Sequence, residues 1–230
     1  RLVEYWKDLA PAYDLWCGIQ KGEVPEWIND AGGNYKYLPM APSLRFQKAC
    51  ESRSLLRNVE SSDIGFIGVP TQARVDILEH LLSLGYSLAL GGEGWGNVTG
   101  ALKSSVFIPD WASPEQSVEL YKSCKVLLNL NAMGFDGGSV LDFESQISPR
   151  VFELALMGKP VVSQNLAAHA SDLESMGCVV FKNDTELELC LQAGLSISNV
   201  DIVDFKYYVL KEHHFETRLD RLESWVFELR

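Results

Sequence analysis

Apolar and polar positions form two patterns in the chain from about residue 62 onward. Short apolar runs that end in glycine, at 64–69 and 86–92, have the length and composition of buried strands. Between them, apolar residues recur every three or four positions over 73–84, which predicts a helix closed by Gly85. The same alternation continues to residue 195. It predicts parallel strands joined by helical crossovers.

Six strands are predicted in this part of the chain. They lie at 64–69, 86–92, 104–111, 125–131, 161–162 and 178–182, separated by helices at 73–84, 113–124, 148–158 and 167–177 and followed by a helix at 184–195. The helix at 113–124 has the clearest start, with Ser113 as N-cap, Pro114 after it and Gln116 at the third helical position. The predicted fold class is α/β, with a Rossmann-like doubly wound parallel sheet. Ligands bind such sheets at the carboxyl ends of the strands, near the switch in strand order.

The two ends of the chain differ from this pattern. Residues 1–45 contain only one strand–helix–strand unit, which buries too little apolar surface to form a domain. We predict that it ends a preceding N-terminal domain, and that the polar residues 46–61 form a linker or crossing helix. The Rossmann-like domain is predicted at 62–202, and an amphipathic helical tail at 203–230.

The charge balance limits the partners of this chain. Its 230 residues carry a formal net charge of -11 at pH 7, whereas nucleic acids and anionic membranes are bound by basic patches. We therefore predict no nucleic-acid partner. A small phosphorylated ligand held by one or two arginines is compatible with this charge. No apolar run approaches the roughly 20 residues of a spanning helix, so no integral membrane segment is predicted.

The five cysteines have no metal-binding spacing. None forms a C-x-x-C pair, and their number is odd. Cys124 and Cys178 lie beside apolar runs, where a thiol behaves as a small hydrophobic side chain. We predict a reduced, cytoplasmic protein without a zinc site.

The turn after the first of these strands has the composition of an anion site. Gly68 allows a ligand to approach the backbone, and the following helix offers free N–H groups and the positive end of its dipole. Thr71 lies at the start of that helix, and Arg74 can add a phosphate contact. An ordinary turn with a surface arginine is the alternative for Arg74. The spacing is not G-x-G-x-x-G, so a dinucleotide is not indicated.

A glycine-rich loop follows the second strand. Residues 91–96 hold four glycines, among them Gly92 and Gly94. Between these glycines lies Trp95, which either stacks on a base or sugar or packs on the core.

A longer polar loop follows the strand at 125–131. Asn129 and Asn131 point to the same side of that strand. The loop after them contains Gly137 and Gly138, and loops of this length are usually functional or mobile. Its acidic residues are Asp136, Asp142 and Glu144. Their spacing is not that of a calcium loop, so a solvated loop is predicted.

The helix that starts at Ser148 carries residues that a purely structural helix does not need. Ser148 as N-cap and Pro149 after it define a firm helix start, whose free N–H groups face the ligand edge of the sheet. Arg150 in the first turn is unfavourable for the helix dipole unless an anion binds there. Glu153, one turn further on, can accept hydrogen bonds from the two hydroxyls of a ribose. A weak surface pair of Arg150 with Glu153 is the alternative.

The segment S-P-R-V-F-E-L-A-L-M-G-K-P-V-V-S at 148–163 resembles the signature of GT-B-fold glycosyltransferases of the group-1 type. It is most similar to the spore-maturation-protein-like (CgeB-like) branch, which shows R-x-F-E-x-x-x-x-G before an apolar strand. Other similar segments occur in the same order: F-I-G at 66–68, G-x-G-W at 92–95, Y-K-S-C-K-V-L-L-N-L-N at 121–131 and E-H-H-F-E-T-R-L at 212–219. The resemblance covers roughly residues 13–222.

The resemblance implies a nucleotide-diphosphate-sugar donor, an unknown acceptor, no cofactor and no bound metal. Arg150 and Glu153 are the expected catalytic residues, with Glu153 on the ribose and Arg150 on the diphosphate. The expected substrate-binding residues are Gly68, Thr71, Arg74, Gly92, Gly94, Trp95, Asn131, Gly137, Gly138, Ser148 and Val151.

Two departures from the family pattern affect this expectation. Retaining members of the group carry E-x7-E, but Ser145 lies eight residues before Glu153, and Glu144 is one residue off. The stereochemistry of transfer is therefore left open. The acceptor-side domain typically exceeds about 100 residues, so residues 1–45 are expected to be only its last part. A nucleotide-sugar epimerase and a non-catalytic nucleotide- or partner-binding module are the alternatives.

Overall fold

The computed structural model describes residues 8–52, 62–131, 146–164, 167–197 and 199–229. A small parallel unit opens the chain, with helix α1 (Glu23–Asp30) between the paired strands β1 (Trp16–Gly18) and β2 (Tyr35–Tyr37). This confirms the predicted strand–helix–strand unit. Helix α2 (Leu44–Glu51) follows and overlaps the first part of the stretch at 46–61, which was predicted as a linker or crossing helix.

The central element is a sheet of six parallel strands, which confirms the predicted fold class. Its strands are β3 (Ser62–Ile67), β4 (Leu88–Gly91), β5 (Val106–Ile108), β6 (Cys124–Asn129), β7 (Val161–Gln164) and β8 (Cys178–Phe181). Their spatial order is β5-β4-β3-β6-β7-β8, so the chain builds outward from β3 in one direction and then from β6 in the other. The switch in direction therefore lies between β3 and β6, where doubly wound sheets bind their ligands.

Helices cover both faces of this sheet. The remaining helices are α3 (Gln72–Ser83), α4 (Pro114–Lys122), α5 (Pro149–Leu156), α6 (Ala170–Ser175), α7 (Asp184–Ser196), α8 (Asn199–Glu212) and α9 (Phe215–Glu228). Strand side chains alternate between the faces. Val126 and Leu128 join a core cluster with residues of α3 and α7, whereas Leu127 joins one with residues of α2, α4, α5, α6 and α8.

The predicted helix starts at Ser113 and Ser148 are confirmed. Ser113 Oγ accepts a hydrogen bond from the Gln116 N–H at 3.2 Å, and the Ser113 N–H donates to Gln116 Oε1 at 3.0 Å, which completes a capping box. Ser148 Oγ accepts from the Arg150 N–H at 3.4 Å. The side chain of Arg150 reaches the carbonyl of Ile67, the last residue of β3. The start of α5 therefore lies at the ligand edge of the sheet.

The segment before the sheet contacts both the sheet domain and the C-terminal helices. Lys21 Nζ lies 2.6 Å from Asp172 Oδ2, and Arg218 Nη2 donates to the Met40 carbonyl at 3.1 Å. The tail predicted at 203–230 contains α9 and most of α8, which already begins at Asn199, and His214 caps α9. The domain boundaries at 45, 61 and 202 stay predictions. In the described ranges, every helix is too short or too polar to cross a bilayer.

Candidate functional site

A cavity of about 410 Å³ opens at the carboxyl edge of the sheet, beside the end of β3. Small-molecule sites have volumes of about 300–1,000 Å³. Four residues that the sequence predicted line it: Gly68, Gly92, Arg150 and Glu153. The other lining residues are Ser43, Arg45, Phe46, Ile67, Val69, Glu93, Trp111, Ala112, Pro114, Ser117 and Tyr121.

Two guanidinium groups converge on Gly68. A Cβ atom at this position would lie 2.9 Å from Nη1 of Arg150 and 3.1 Å from Nη1 of Arg74, so a glycine leaves room for both. Burial, and then the charge of Arg150, lower the pKa of Arg74 to about 10. Because the two cations repel each other, an anion bound beside them would be stabilised.

Arg74 itself is buried, with 6% of its surface exposed, and does not belong to the residues that line the cavity. Its guanidinium donates to three backbone carbonyls: Nε to Asn131 at 3.0 Å, Nη1 to Val69 at 2.9 Å and Nη2 to Leu130 at 2.6 Å. It therefore joins the loop after β3 to the end of β6. The surface alternative for Arg74 is wrong. The expected phosphate contact also needs correction, because these donors point at carbonyls.

Glu153 lines the cavity one helical turn beyond Arg150 and is half-buried. Its Oε1 accepts a hydrogen bond from Oγ of Ser43 at 3.3 Å. Burial raises the pKa of the Glu153 carboxyl, while Arg150 and the hydrogen bonds from Ser43 lower it, and the net shift is upward. The alternative of an exposed surface pair does not describe this residue.

The loop after β4 brings its backbone against Gly68. Gly92 has φ +124° and Gly94 has φ +95°, a conformation that suits glycine. Trp95 is 1% exposed, its Nε1 donates to the Gly68 carbonyl at 2.5 Å, and its ring meets Phe66 edge-on at 6.3 Å. Trp95 therefore packs on the core, as the second alternative predicted. The base-stacking role expected of it does not fit this position.

The remaining expected residues support the site from outside the cavity lining. Thr71 begins α3, and its buried Oγ1 has no hydrogen-bond partner in the described ranges. Val151 is fully buried in the core, and Ser148 caps α5. The Asn131 N–H binds Gln164 Oε1 at 3.1 Å. The residues that lie outside the described ranges are Gly137, Gly138, Asp136, Asp142 and Glu144.

The sequence analysis missed the walls that come from α2 and from the segment after β5. Ser43 and Phe46 lie at the start of α2, which the sequence assigned to the preceding domain and the linker. Trp111 lies at the mouth of the cavity with 67% of its surface exposed. An aromatic residue between Pro109 and Pro114, just after a strand, was a signal that could have identified it.

Metal-ligating side chains do not cluster in the part of the chain that the structure describes. No three His, Cys, Asp or Glu residues there lie close enough together to hold an ion. All five cysteines are free thiols, and Cys124 and Cys178 are buried as predicted.

Replacing Gly92 with alanine tests the close approach of the two loops. A Cβ at Gly92 would lie 2.8 Å from the Gly68 carbonyl oxygen, in addition to the strain of the positive φ. We expect Gly92→Ala to lower the free energy of unfolding by about 2–4 kcal/mol in urea titrations. Gly85→Ala is the control, because Gly85 has φ +92° but no atom within 4 Å of such a Cβ. It should lose only about 1–2 kcal/mol. Equal losses would show that the loops do not need this contact.

Comparison with known sequences agrees with this geometry. A profile of the family described as "Glycosyl transferase-like" matches residues 74–224, well over half of the chain. No curated protein matches the sequence.

Solved structures match nearly the whole chain. Sucrose-phosphate synthase from Thermosynechococcus elongatus matches with a TM-score of 0.64 and 12% identity over 99% of this chain and 62% of that one. The α,α-trehalose 6-phosphate synthase from Burkholderia multivorans matches with a TM-score of 0.65 and 10% identity, over 99% of this chain and 61% of that one. AviGT4, a glycosyltransferase involved in avilamycin A biosynthesis, matches with a TM-score of 0.57 and 17% identity, over 88% of this chain and 61% of that one.

These structures are GT-B glycosyltransferases, and at such identities the likeness shows the fold alone. The chain spans about three fifths of their length. Because the family profile matches residues 74–224, from within α3 to within α9, the chain belongs to the glycosyl transferase-like family.

Proposed function

We propose that this chain binds the donor of a glycosyltransferase that moves a sugar from a nucleoside diphosphate to an acceptor without a bound metal. The observation that carries the proposal is the guanidinium of Arg150 beside Gly68 at the cavity wall, with the buried charge of Arg74 behind it and Glu153 one turn further along α5. Positive groups suit a diphosphate, and a carboxylate suits the hydroxyls of a ribose. Arg150 and Glu153 lie one turn apart on α5, so they would contact neighbouring parts of one ligand, the diphosphate and the ribose.

The positive groups also suit the reaction. Transfer of the sugar leaves negative charge on the departing diphosphate. Arg150, the N–H groups at the start of α3 that no side chain caps and the positive end of the α5 dipole would stabilise that charge as it develops. Fixed positive groups at this place provide the charge that a divalent metal would otherwise supply. This supports a metal-independent transfer.

Apolar surface near the mouth of the cavity offers a place for the base or the sugar. Trp111, which is 67% exposed, presents its aromatic face there, whereas Phe46 and Tyr121 also line the cavity but are only 2% exposed. Aromatic faces of this kind pack against flat or ring-shaped ligands. The proposal extends to a hexosyl or related transferase of the spore-maturation-protein-like branch, in a cytoplasmic setting. The resemblance at 148–163 and the free cysteines support these finer points.

We further propose that this chain alone binds donor well and transfers sugar poorly. The acceptor side would come from a larger N-terminal domain, of which residues 1–45 are the last part. Conversion of a sugar nucleotide without acceptor would instead favour the epimerase alternative. Rapid sugar transfer by this chain alone would contradict the proposal that the acceptor side comes from a larger N-terminal domain.

Calorimetric titration with UDP, GDP, dTDP and CMP tests the donor site. We expect one of the diphosphates to bind. Glu153→Gln should weaken that binding by about 1–3 kcal/mol, or roughly 5- to 150-fold, because glutamine has nearly the same size but lacks the charged hydrogen-bond acceptor.

The same titrations test the pH dependence of binding. Since burial places the Glu153 pKa above its ordinary value of 4.5, binding should weaken as the pH falls through that raised value.

Glu79→Gln is the matched control, because Glu79 is exposed on α3 and does not line the cavity. It should leave the affinity unchanged. Equal affinities of the Glu153→Gln and Glu79→Gln chains would contradict the role of Glu153. Binding of none of the nucleotides would favour the non-catalytic alternative.

A further inference from the structure

Ser43 joins the start of α2 to the carboxylate of Glu153. Its Oγ accepts a hydrogen bond from the Phe46 N–H at 3.2 Å, which caps α2, and donates to Glu153 Oε1 at 3.3 Å. The carboxylate is therefore held from α2 as well as from its own helix, α5. The two residues are 110 positions apart in the chain.

Packing keeps Ser43 in this place. Phe46 is 2% exposed and Ala49 is 5% exposed, and both belong to the core cluster that contains α4 and α5. Because well-packed side chains move little, α2 presents the Ser43 hydroxyl at a defined distance from α5. The direction of the Glu153 carboxylate thus depends on a segment that precedes the sheet.

We propose that Ser43 is a positioning residue that holds the Glu153 carboxylate at the cavity wall and so couples the segment before the sheet to the donor site. Its effect on nucleotide affinity rests on the proposed function, whereas its effect on Glu153 does not. Ser43 acts through a directed hydrogen bond, while Arg150 acts on the same carboxylate through its charge. Replacing Ser43 therefore disturbs the geometry of the site without removing any charged side chain from it.

Other charged or titratable side chains lie near Glu153, and a titration must distinguish their protonation from that of Glu153. The charged or titratable groups that face it or share the cavity are Arg150 on α5, Tyr121 on α4, Arg45 and Cys50 on α2, and Glu93 after β4. Ser43 is uncharged and changes none of their protonation states. Its removal should raise the pKa of Glu153, since a hydrogen bond to the carboxylate favours the charged form.

The test compares Ser43→Ala with Ser43→Thr, which keeps the hydroxyl. Asn183→Ala is the matched control, because Asn183 caps α7 through the Glu186 N–H at 3.1 Å and lies outside the cavity. The pKa of Glu153 is followed by carbon-13 NMR of the side-chain carboxyl, assigned with Glu153→Gln. We expect Ser43→Ala alone to raise it. An unchanged pKa would overturn the proposal.

UDP and GDP titrations provide the second readout. Ser43→Ala should weaken the affinity by roughly 2- to 10-fold, as expected for one hydrogen bond, and should have no effect in a Glu153→Gln background. The same loss in both backgrounds would mean direct contact with the nucleotide and would overturn the proposal. If the unmodified chain binds none of UDP, GDP and dTDP, the proposed function fails, and the NMR titration still decides the role of Ser43.

Discussion

Arg74→Met is expected to lower the free energy of unfolding by about 2–4 kcal/mol. The side chain is 6% exposed, and its three nitrogens donate to the carbonyls of Val69, Leu130 and Asn131. Methionine keeps much of the volume but removes the donor to the carbonyls of Leu130 and Asn131, whereas the Val69 carbonyl still accepts from the Thr71 N–H at 3.0 Å. Each buried group fully deprived of a partner costs about 1–3 kcal/mol. Urea unfolding followed by circular dichroism measures the loss.

Arg221→Met is the control for this change. Arg221 is partly exposed and pairs with Glu212 at 2.9 Å, an interaction worth at most about 1 kcal/mol at a surface. A loss in Arg74→Met no larger than that in Arg221→Met would contradict the structural role of Arg74.

Arg150→Ala is expected to weaken the binding of the preferred nucleoside diphosphate by roughly 10- to 150-fold. Its guanidinium lies beside Gly68 at the cavity edge and would contact the diphosphate. A hydrogen bond to a charged group contributes about 1.5–3 kcal/mol, which corresponds to this range. Titration calorimetry gives the two affinities.

The control separates binding from folding and from net charge. Arg221→Ala makes the same change in charge at a residue that does not line the cavity, and should bind like the unmodified chain. Because Arg150 also donates to the Ile67 carbonyl, the folded fraction of each variant is measured first. Unchanged affinity in a folded Arg150→Ala chain would contradict the proposed diphosphate site.

The strands of the sheet could be predicted from the sequence because each contains a short apolar run. The strand predicted at 125–131 is observed at Cys124–Asn129, and the one predicted at 64–69 is observed at Ser62–Ile67. The second shift has a physical reason. Ser62 pairs with Cys124, whereas Gly68 lies just beyond the strand, still donates to the Gly91 carbonyl at 2.8 Å, and approaches Gly92 and two arginines.

The C-terminal tail was predicted less well. Its amphipathic pattern indicated a helical segment from 203 but did not show the break between α8 and α9. His213 and His214 lie at this break, and His214 caps the second helix through its side chain. Histidine is an uncommon N-cap, so the pattern contained no familiar stop and start signal.

Part of the candidate site has local signals. Gly68 ends a strand, and Arg150 and Glu153 follow an N-cap, so each could be placed at the ligand edge from nearby residues. Trp111 had a local signal that was not used, namely an aromatic residue just after a strand. Ser43 had none, because only the packing of α2 brings it to the cavity.

Arg74 shows why a correct location does not determine a role. Its position after a glycine turn suggested an anion ligand. Its acceptors at Leu130 and Asn131 lie 56 and 57 residues later, and only the folded sheet brings them together. The long-range pairing of β3 with β6 therefore decides what this arginine binds.

A crystal structure of this chain with the nucleoside diphosphate that binds it most tightly tests the donor site most directly. We expect the ribose hydroxyls within about 2.6–3.2 Å of the Glu153 carboxylate. The diphosphate should lie beside Gly68 and the guanidinium of Arg150. A nucleotide bound outside the cavity, or one whose ribose lies away from Glu153, would contradict the proposed donor site.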